Sequence, residues 1–239
     1  MRVPVVCLEC YRPTTPPPAG SVTLEEVQES GVYSYKCPNG HSTTAYLREE
    51  RFEMLYQSAA YAVLDGYYRE AVASFTGAFE AFCEFYLRVI GRKKEVASDR
   101  FEESLNRLVA QSERVLGAYS MTYTLEHKIP PPALPQKQIT FRNKVIHRGK
   151  FPTREEAIAY GQDIADVIYP VLSYLKQHER KHVTDVVDAR INKLCQETHG
   201  RQSICLPGII NINQISPDPQ PILKESLEKL ESTRKCRGW

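Results

Sequence analysis

The chain has 239 residues, 42% of them apolar, and 31 basic against 29 acidic side chains give a formal charge of only +2. That length suits one large domain or a helical core with a small satellite, and a near-zero charge excludes whole-molecule attraction for polyanions, leaving only a local patch to draw one. No run of eighteen apolar residues occurs, and Met1-Arg2-Val3-Pro4-Val5-Val6-Cys7 lacks the apolar core and cleavage site of a secretion signal, so a cytoplasmic protein with no membrane partner is expected.

The first 45 residues are rich in turn formers (Pro4, Pro13, Pro16-Pro17-Pro18, Gly20), followed by an alternating strand pattern over Gly31-Val32-Tyr33-Ser34-Tyr35-Lys36. Cys7 and Cys10 form a Cys-x-x-Cys, and Cys37-Pro38-Asn39-Gly40-His41 supplies a second ligand pair directly after the strand. Two such turns give four S and N donors, the set zinc takes in a tetrahedron, and Gly40 provides the positive φ that a knuckle needs. A zinc ribbon over residues 1–45 is predicted, with Cys7, Cys10, Cys37 and His41 as ligands. Four filled positions leave no place for a water, so the zinc is expected to be structural and not catalytic. A looser group, Cys195, His199 and Cys205, becomes a set of four only if His182 or Cys236 joins it. Cys83, among Phe79, Phe82 and Phe85, reads as a buried thiol.

From about Tyr46 the apolar period becomes helical. Phe52, Leu55, Tyr56, Ala59, Ala62 and Val63 mark one helix up to Asp65-Gly66; Val72, Phe75, Phe79, Phe82, Tyr86 and Val89 mark a second, ending at Gly91. A third is predicted from Ser98 or Asp99 to Leu116, using Phe101, Leu105, Leu108, Val109 and Leu116, with Gly117 as its stop. The next twenty residues, with Pro130-Pro131-Pro132 and Pro135, read as a long loop containing His127. A short helix then runs from Gln138 or Thr140 to Gly149. Thr153 and Glu156 form a capping box for a long helix with Ala157, Gly161, Ile164, Ile168, Val171, Leu172 and Leu175 on its buried face and a kink expected at Pro170. Further helices are predicted over Val183–Leu194 and from Ile222 to about Thr233, with Ile209-Ile210-Asn211-Ile212 as a short strand. His178, Arg180, Lys181 and His182 read as a solvated helix end.

The short helix carries the most specific chemistry. Arg142, Asn143 and His147 stand within six residues, and from Gln136 to Arg154 the chain has Lys137, Arg142, Lys144, Arg148, Lys150 and Arg154 but no Asp or Glu. RNA brings its own nucleophile, the 2′-OH, so cleavage needs only a proton acceptor, a proton donor and a fixed cation for the phosphorane. His147 can move the proton and the Arg142 fork can hold phosphate oxygens, with Asn143 beside them. No cofactor is then required for catalysis. Lys144, Arg148 and Lys150 are the expected RNA contacts. On a helix Asn143 and His147 share a face, while Arg142 and His147 are separated by about 140°. One His per chain is thin provision for two proton transfers, which a symmetric dimer would relieve. Glu80 and Glu84 read as a solvated edge or as a carboxylate orienting Arg142.

Arg142-Asn143-Lys144-Val145-Ile146-His147 resembles the Arg-x4-6-His motif, with a polar residue after the Arg, of HEPN domains (higher eukaryotes and prokaryotes nucleotide-binding). Leu64 through Phe82 looks like the early helix of that fold, and Pro152-Thr153 through Tyr169 like the helix after the motif, so the resemblance covers roughly residues 46–180. It implies a mainly α, HEPN-like bundle at 46–180 between the ribbon at 1–45 and a helical or irregular extension at 181–239. It further implies a homodimeric, metal-independent endoribonuclease with a composite site, RNA as substrate, Arg142, Asn143 and His147 as active-site residues, and an antitoxin or phage-defence partner. The chain departs from the toxin subtype that has Tyr two residues after the His, since position 149 is Gly. A non-catalytic HEPN module that binds nucleotide or RNA, with the ribbon used for assembly, is the alternative.

Overall fold

Apolar side chains recur at helical spacing through most of the sequence, and the computed structural model, which describes residues 1–11, 20–198, 202–206, 208–212 and 220–237, is mainly helical. Eight helices and a small N-terminal strand region with a Cys/His cluster occur among the described residues. No helix among them is long and apolar enough to cross a membrane. The chain divides into two compact units, one of Met1–Glu49 with Val187–Pro207 and one of Glu50–Val186 with Gly208–Trp239.

In the first unit, β1 (Arg2–Val6) pairs antiparallel with β2 (Val22–Glu26), Arg2 opposite Glu26 and Val6 opposite Val22. Alternation buries Val3, Val5 and Cys7 on one side, and a two-stranded ribbon tolerates Pro4 because each strand has a free edge. β3 (Val32–Lys36), the strand expected from sequence, forms a hairpin with β4 (Ser42–Leu47), and β5 (Gln202–Ile204) adds parallel to β4. Arg190 donates to the carbonyls of Leu47 and Arg48. It lies on α7 (Arg180–Thr198), which starts in the helical unit.

In the helical unit α1 (Arg51–Leu64) packs along α2 (Tyr68–Lys93), the central helix, which also contacts α3 (Ser98–Leu108), α4 (Ser112–His127), α5 (Gln136–Arg148) and α6 (Arg154–His178). The α2 stripe is buried as its period predicts, except that Phe79 is half-buried, and its rings meet edge-on: Phe52 with Phe82 at 5.4 Å, Tyr56 with Phe75 at 4.9 Å. α6 begins in the predicted capping box, with Glu156 N donating to Thr153 Oγ1 and Thr153 N to Glu156 Oε2, and it continues through Pro170. α8 (Leu223–Arg237) packs on α6 and α1.

Gly161 is where α6 comes closest to its neighbours. A Cβ there would lie 2.6 Å from Leu223 Cδ2 and 2.6 Å from Phe75 Cε2, and the Gly161 carbonyl accepts from Tyr56 Oη at 3.0 Å. Gly161→Ala is expected to cost about 1–3 kcal/mol by overpacking. Urea unfolding checks it, and an unchanged midpoint would refute this tight fit.

Four predicted elements differ. α2 does not stop at Gly91, which is buried where a Cβ would come 2.6 Å from the Phe101 ring, so that glycine serves packing. The predicted helix to Leu116 is broken at Gln111, whose backbone is extended, and the second piece runs on to His127. Gly117 is an exposed mid-helix position there. The helix penalty of one glycine is about 1 kcal/mol, and it is outweighed because Val115, Tyr119, Tyr123 and His127 face one side and pack on α2. The long loop therefore shrinks to residues 128–135, opened by Lys128 at φ 63. Residues 209–212 form no strand. Two of their amides are taken by α1 instead, Ile209 N donating to Gln57 Oε1 at 3.1 Å and Ile212 N to Glu53 Oε1 at 2.6 Å.

His127, expected in a loop, is thus a half-buried helical residue. Its Nε2 lies 3.1 Å from Tyr86 Oη, and its ring meets Tyr123 at 4.1 Å and Tyr174 at 4.7 Å. Burial holds its pKa below the ordinary 6.5, with Glu126 opposing, Lys93 assisting and Glu179 opposing. The unfolded chain therefore binds this proton more readily than the folded one. The contribution is complete above about 6.5 and is lost as pH falls towards the folded value. Stability is expected to drop as pH falls below about 6.5, and less so in His127→Gln. Equal pH dependence of the two in urea unfolding would contradict this.

Candidate functional site

α5 is placed by a narrow buried edge. Val145 is fully buried, Gln138 is buried and donates to Asp163, and Phe141 meets the Tyr160 ring of α6 at 5.8 Å. These residues are spaced three and four apart and turn the rest of the helix outward. Asn143, Lys144, His147 and Arg148 are exposed, while Arg142 is half-buried at the margin. Gly149 closes the helix at φ 69, its N–H returning to the Lys144 carbonyl.

At this margin the side chains converge. Arg142 Nη1 donates to Asn143 Oδ1 at 3.0 Å and lies 3.4 Å from His147 Nε2, while Arg142 Nη2 lies 3.6 Å from Glu80 Oε1 of α2. The 140° separation between Arg142 and His147 is thus bridged by the length of the arginine. A guanidinium has donors only, so its approach to Nε2 is a hydrogen bond only when that nitrogen carries no proton, the form able to accept one. Glu80 is the carboxylate beside Arg142, whereas Glu84 pairs with Arg88 at 3.6 Å. Lys150 is engaged, paired with Glu156 and 4.9 Å from the Phe141 ring centroid. Among the described residues Lys144 and Arg148 carry no ion pair.

Two neighbours escaped the sequence reading. Thr76, one turn before Glu80 on α2, lies with its Oγ1 2.8 Å from the Val72 carbonyl and 2.9 Å from Tyr160 Oη, where either hydroxyl can donate. Burial raises the Tyr160 pKa, opposed by the Thr76 bond and by Arg142, with Glu80 adding to the rise. The spacing of Thr76 and Glu80 is the only signal in the sequence, and it is visible only once α5 and α6 are known to face α2.

In the other unit Cys7, Cys10, Cys37 and His41 bring one ligand atom each to within 4.8 Å of one another, so they can hold one metal ion. Tetrahedral zinc with S ligands at its usual bond length has ligand–ligand edges of about 3.8 Å. Here Cys10 and Cys37 sulfurs are 3.7 Å apart, and His41 Nδ1 lies 3.8 Å from Cys7 Sγ, 3.6 Å from Cys37 Sγ and 3.2 Å from Cys10 Sγ. The turns are built as ligand holders: Cys10 N and Tyr11 N return to the Cys7 carbonyl, Gly40 N to that of Cys37, with Gly40 at φ 86. Burial opposes ionisation of Cys7, yet hydrogen bonds from Cys10, Thr43 and Cys37 bring its pKa down to about 6, favouring the thiolate that binds metal. Asn39 Nδ2 donates to Cys10 Sγ at 3.3 Å.

This is the only such group among the described residues. Of the looser set, Cys195 is half-buried, Cys205 exposed, and His182 lies 3.8 Å from Glu179; His199 and the Cys236 side chain are outside the described residues. No family profile, curated protein or solved structure matches this chain.

Proposed function

We propose that this chain is a metal-independent endoribonuclease whose helical unit is HEPN-like, working as a homodimer with one Arg142–Asn143–His147 set from each subunit. The observation that carries the reading is the meeting of Arg142 Nη1 with Asn143 Oδ1 and His147 Nε2 at the margin of a helix that itself carries no Asp or Glu. Arg142 would hold the scissile phosphate and stabilise the phosphorane, Asn143 would orient the ribose or the imidazole, and His147 would take the proton from the 2′-OH. The products are a 2′,3′-cyclic phosphate and a 5′-OH. The partner subunit would supply the second proton-transfer group. Lys144, Arg148 and Lys150 are the RNA contacts in this reading. Zinc on Cys7, Cys10, Cys37 and His41 would be structural, and the setting a cytoplasmic toxin–antitoxin or phage-defence system.

A second reading is supported by the Glu80 carboxylate beside Arg142. Part of the guanidinium charge is already answered within the chain, as suits a module that binds RNA or nucleotide without turnover. Incubating the protein with several RNAs in chelator and identifying the product ends separates the two. Cleavage with cyclic-phosphate ends supports the enzyme; tight binding with no cleavage supports the module.

A further inference from the structure

Phe151 is 84% exposed, the highest value among the large apolar side chains described. A single exposed ring is ordinary; here, however, the backbone on both sides of it is held. Before it, Gly149 N and Lys150 N both return to the Lys144 carbonyl, the latter at 3.1 Å, and the Lys150 ammonium is fastened between Glu156 and the Phe141 ring. After it, Pro152 is buried with a fixed φ and Thr153 enters the capping box with Glu156. A loose loop would let a phenyl ring collapse onto nearby apolar surface. This one is braced so that the ring stays in water, four residues after His147.

Its chemical setting indicates the ligand. The residues leading to it include exposed Lys144, His147 and Arg148, and no acid occurs between Gln136 and Arg154. An apolar pocket on another protein would have to desolvate the Lys144 and Arg148 charges, at a cost it could not return. A nucleobase fits better, because its face stacks on the ring while its phosphates meet the ammonium and guanidinium groups. Base faces are accessible only where the strand is unpaired. We infer that Phe151 is a base-stacking platform that selects single-stranded RNA, with Lys144 and Arg148 holding the backbone. The inference uses the ribonuclease reading to place the scissile phosphate near His147, but stacking itself does not require turnover.

The test is fluorescence titration of the full chain with a short single-stranded oligoadenylate containing 2-aminopurine, beside a duplex of the same length. Phe151→Ala is expected to weaken single-strand binding about 5- to 100-fold and to abolish the stacking quench of 2-aminopurine, with little change for duplex. Phe151→Tyr should retain both, and Phe151→Leu, equally apolar but not aromatic, should not. Wild-type protein that does not bind the single strand, equal affinity of the Ala variant, or Leu performing as well as Tyr would overturn the inference. So would a change in sedimentation of Phe151→Ala, which would assign the ring to a protein contact. Ring-dependent binding without RNA cleavage would remove the nuclease reading and leave the platform; cleavage indifferent to position 151 would do the reverse.

Discussion

Replacing His147 by Ala should lower RNA cleavage by about 10²–10⁴-fold, the usual worth of a positioned acid or base, with the far-UV circular dichroism spectrum unchanged. The separation of the two readouts follows from burial. His147 is exposed near the end of α5, and the residues that seat this helix, Gln138, Phe141 and Val145, are on its other side. Arg142→Lys should be nearly as damaging although it keeps the charge. An ammonium cannot span Asn143 and Glu80 as a planar fork, nor offer paired donors to two phosphate oxygens. Full activity in Arg142→Lys would show that only a diffuse positive field matters; full activity in His147→Ala would remove this site from the chemistry.

The second large effect concerns the metal. Purified protein is expected to carry about one zinc per chain, and Cys7→Ser/Cys37→Ser to lose it and, with it, the folding of the strand unit. The core of that unit is small: Val3, Val5, Tyr33, Ala45, Leu47 and Ile204 are its main buried apolar side chains outside α7 and the cysteines. Structural zinc contributes an apparent ~10–16 kcal/mol in small zinc domains, comparable with the entire stability of a typical domain. Hydrogen exchange should therefore show lost amide protection in β1–β4 of the variant, with α1, α2 and α6 still protected. Zinc retained by the double variant would refute the ligand assignment, and protected strands without metal would refute its structural role.

The legibility of this molecule follows from which interactions are local. The stripe of α2, the Thr153–Glu156 capping box, the left-handed Gly149 and the Cys-x-x-Cys with its Gly40 turn all act within a few residues of sequence, and each stands where the pattern placed it. The break at Gln111, the helical His127 and the absence of a strand at 209–212 depend on partners far along the chain. Tyr86 is what holds His127, and Glu53 and Gln57 are what claim the amides of Ile212 and Ile209. Propensity is a weak term, and a buried hydrogen bond or an aromatic contact across helices exceeds it.

The candidate site divides along the same line. Sequence by itself determined the chemical inventory: an Arg, an Asn and a His on one helical turn and a half, a flank without acids, and four metal-binding side chains in two pairs. Only the tertiary structure decided that Arg142 reaches back to His147 under the carboxylate of Glu80, that Tyr160 and Thr76 border it, that Lys150 is engaged while Lys144 and Arg148 are not, and that Phe151 is held outward. Residue type and spacing set what a side chain can do within its own helix. Which groups it meets across 62 residues of chain, as Arg142 meets Glu80, is set by how α5 packs on α2, and that packing is a property of the whole core.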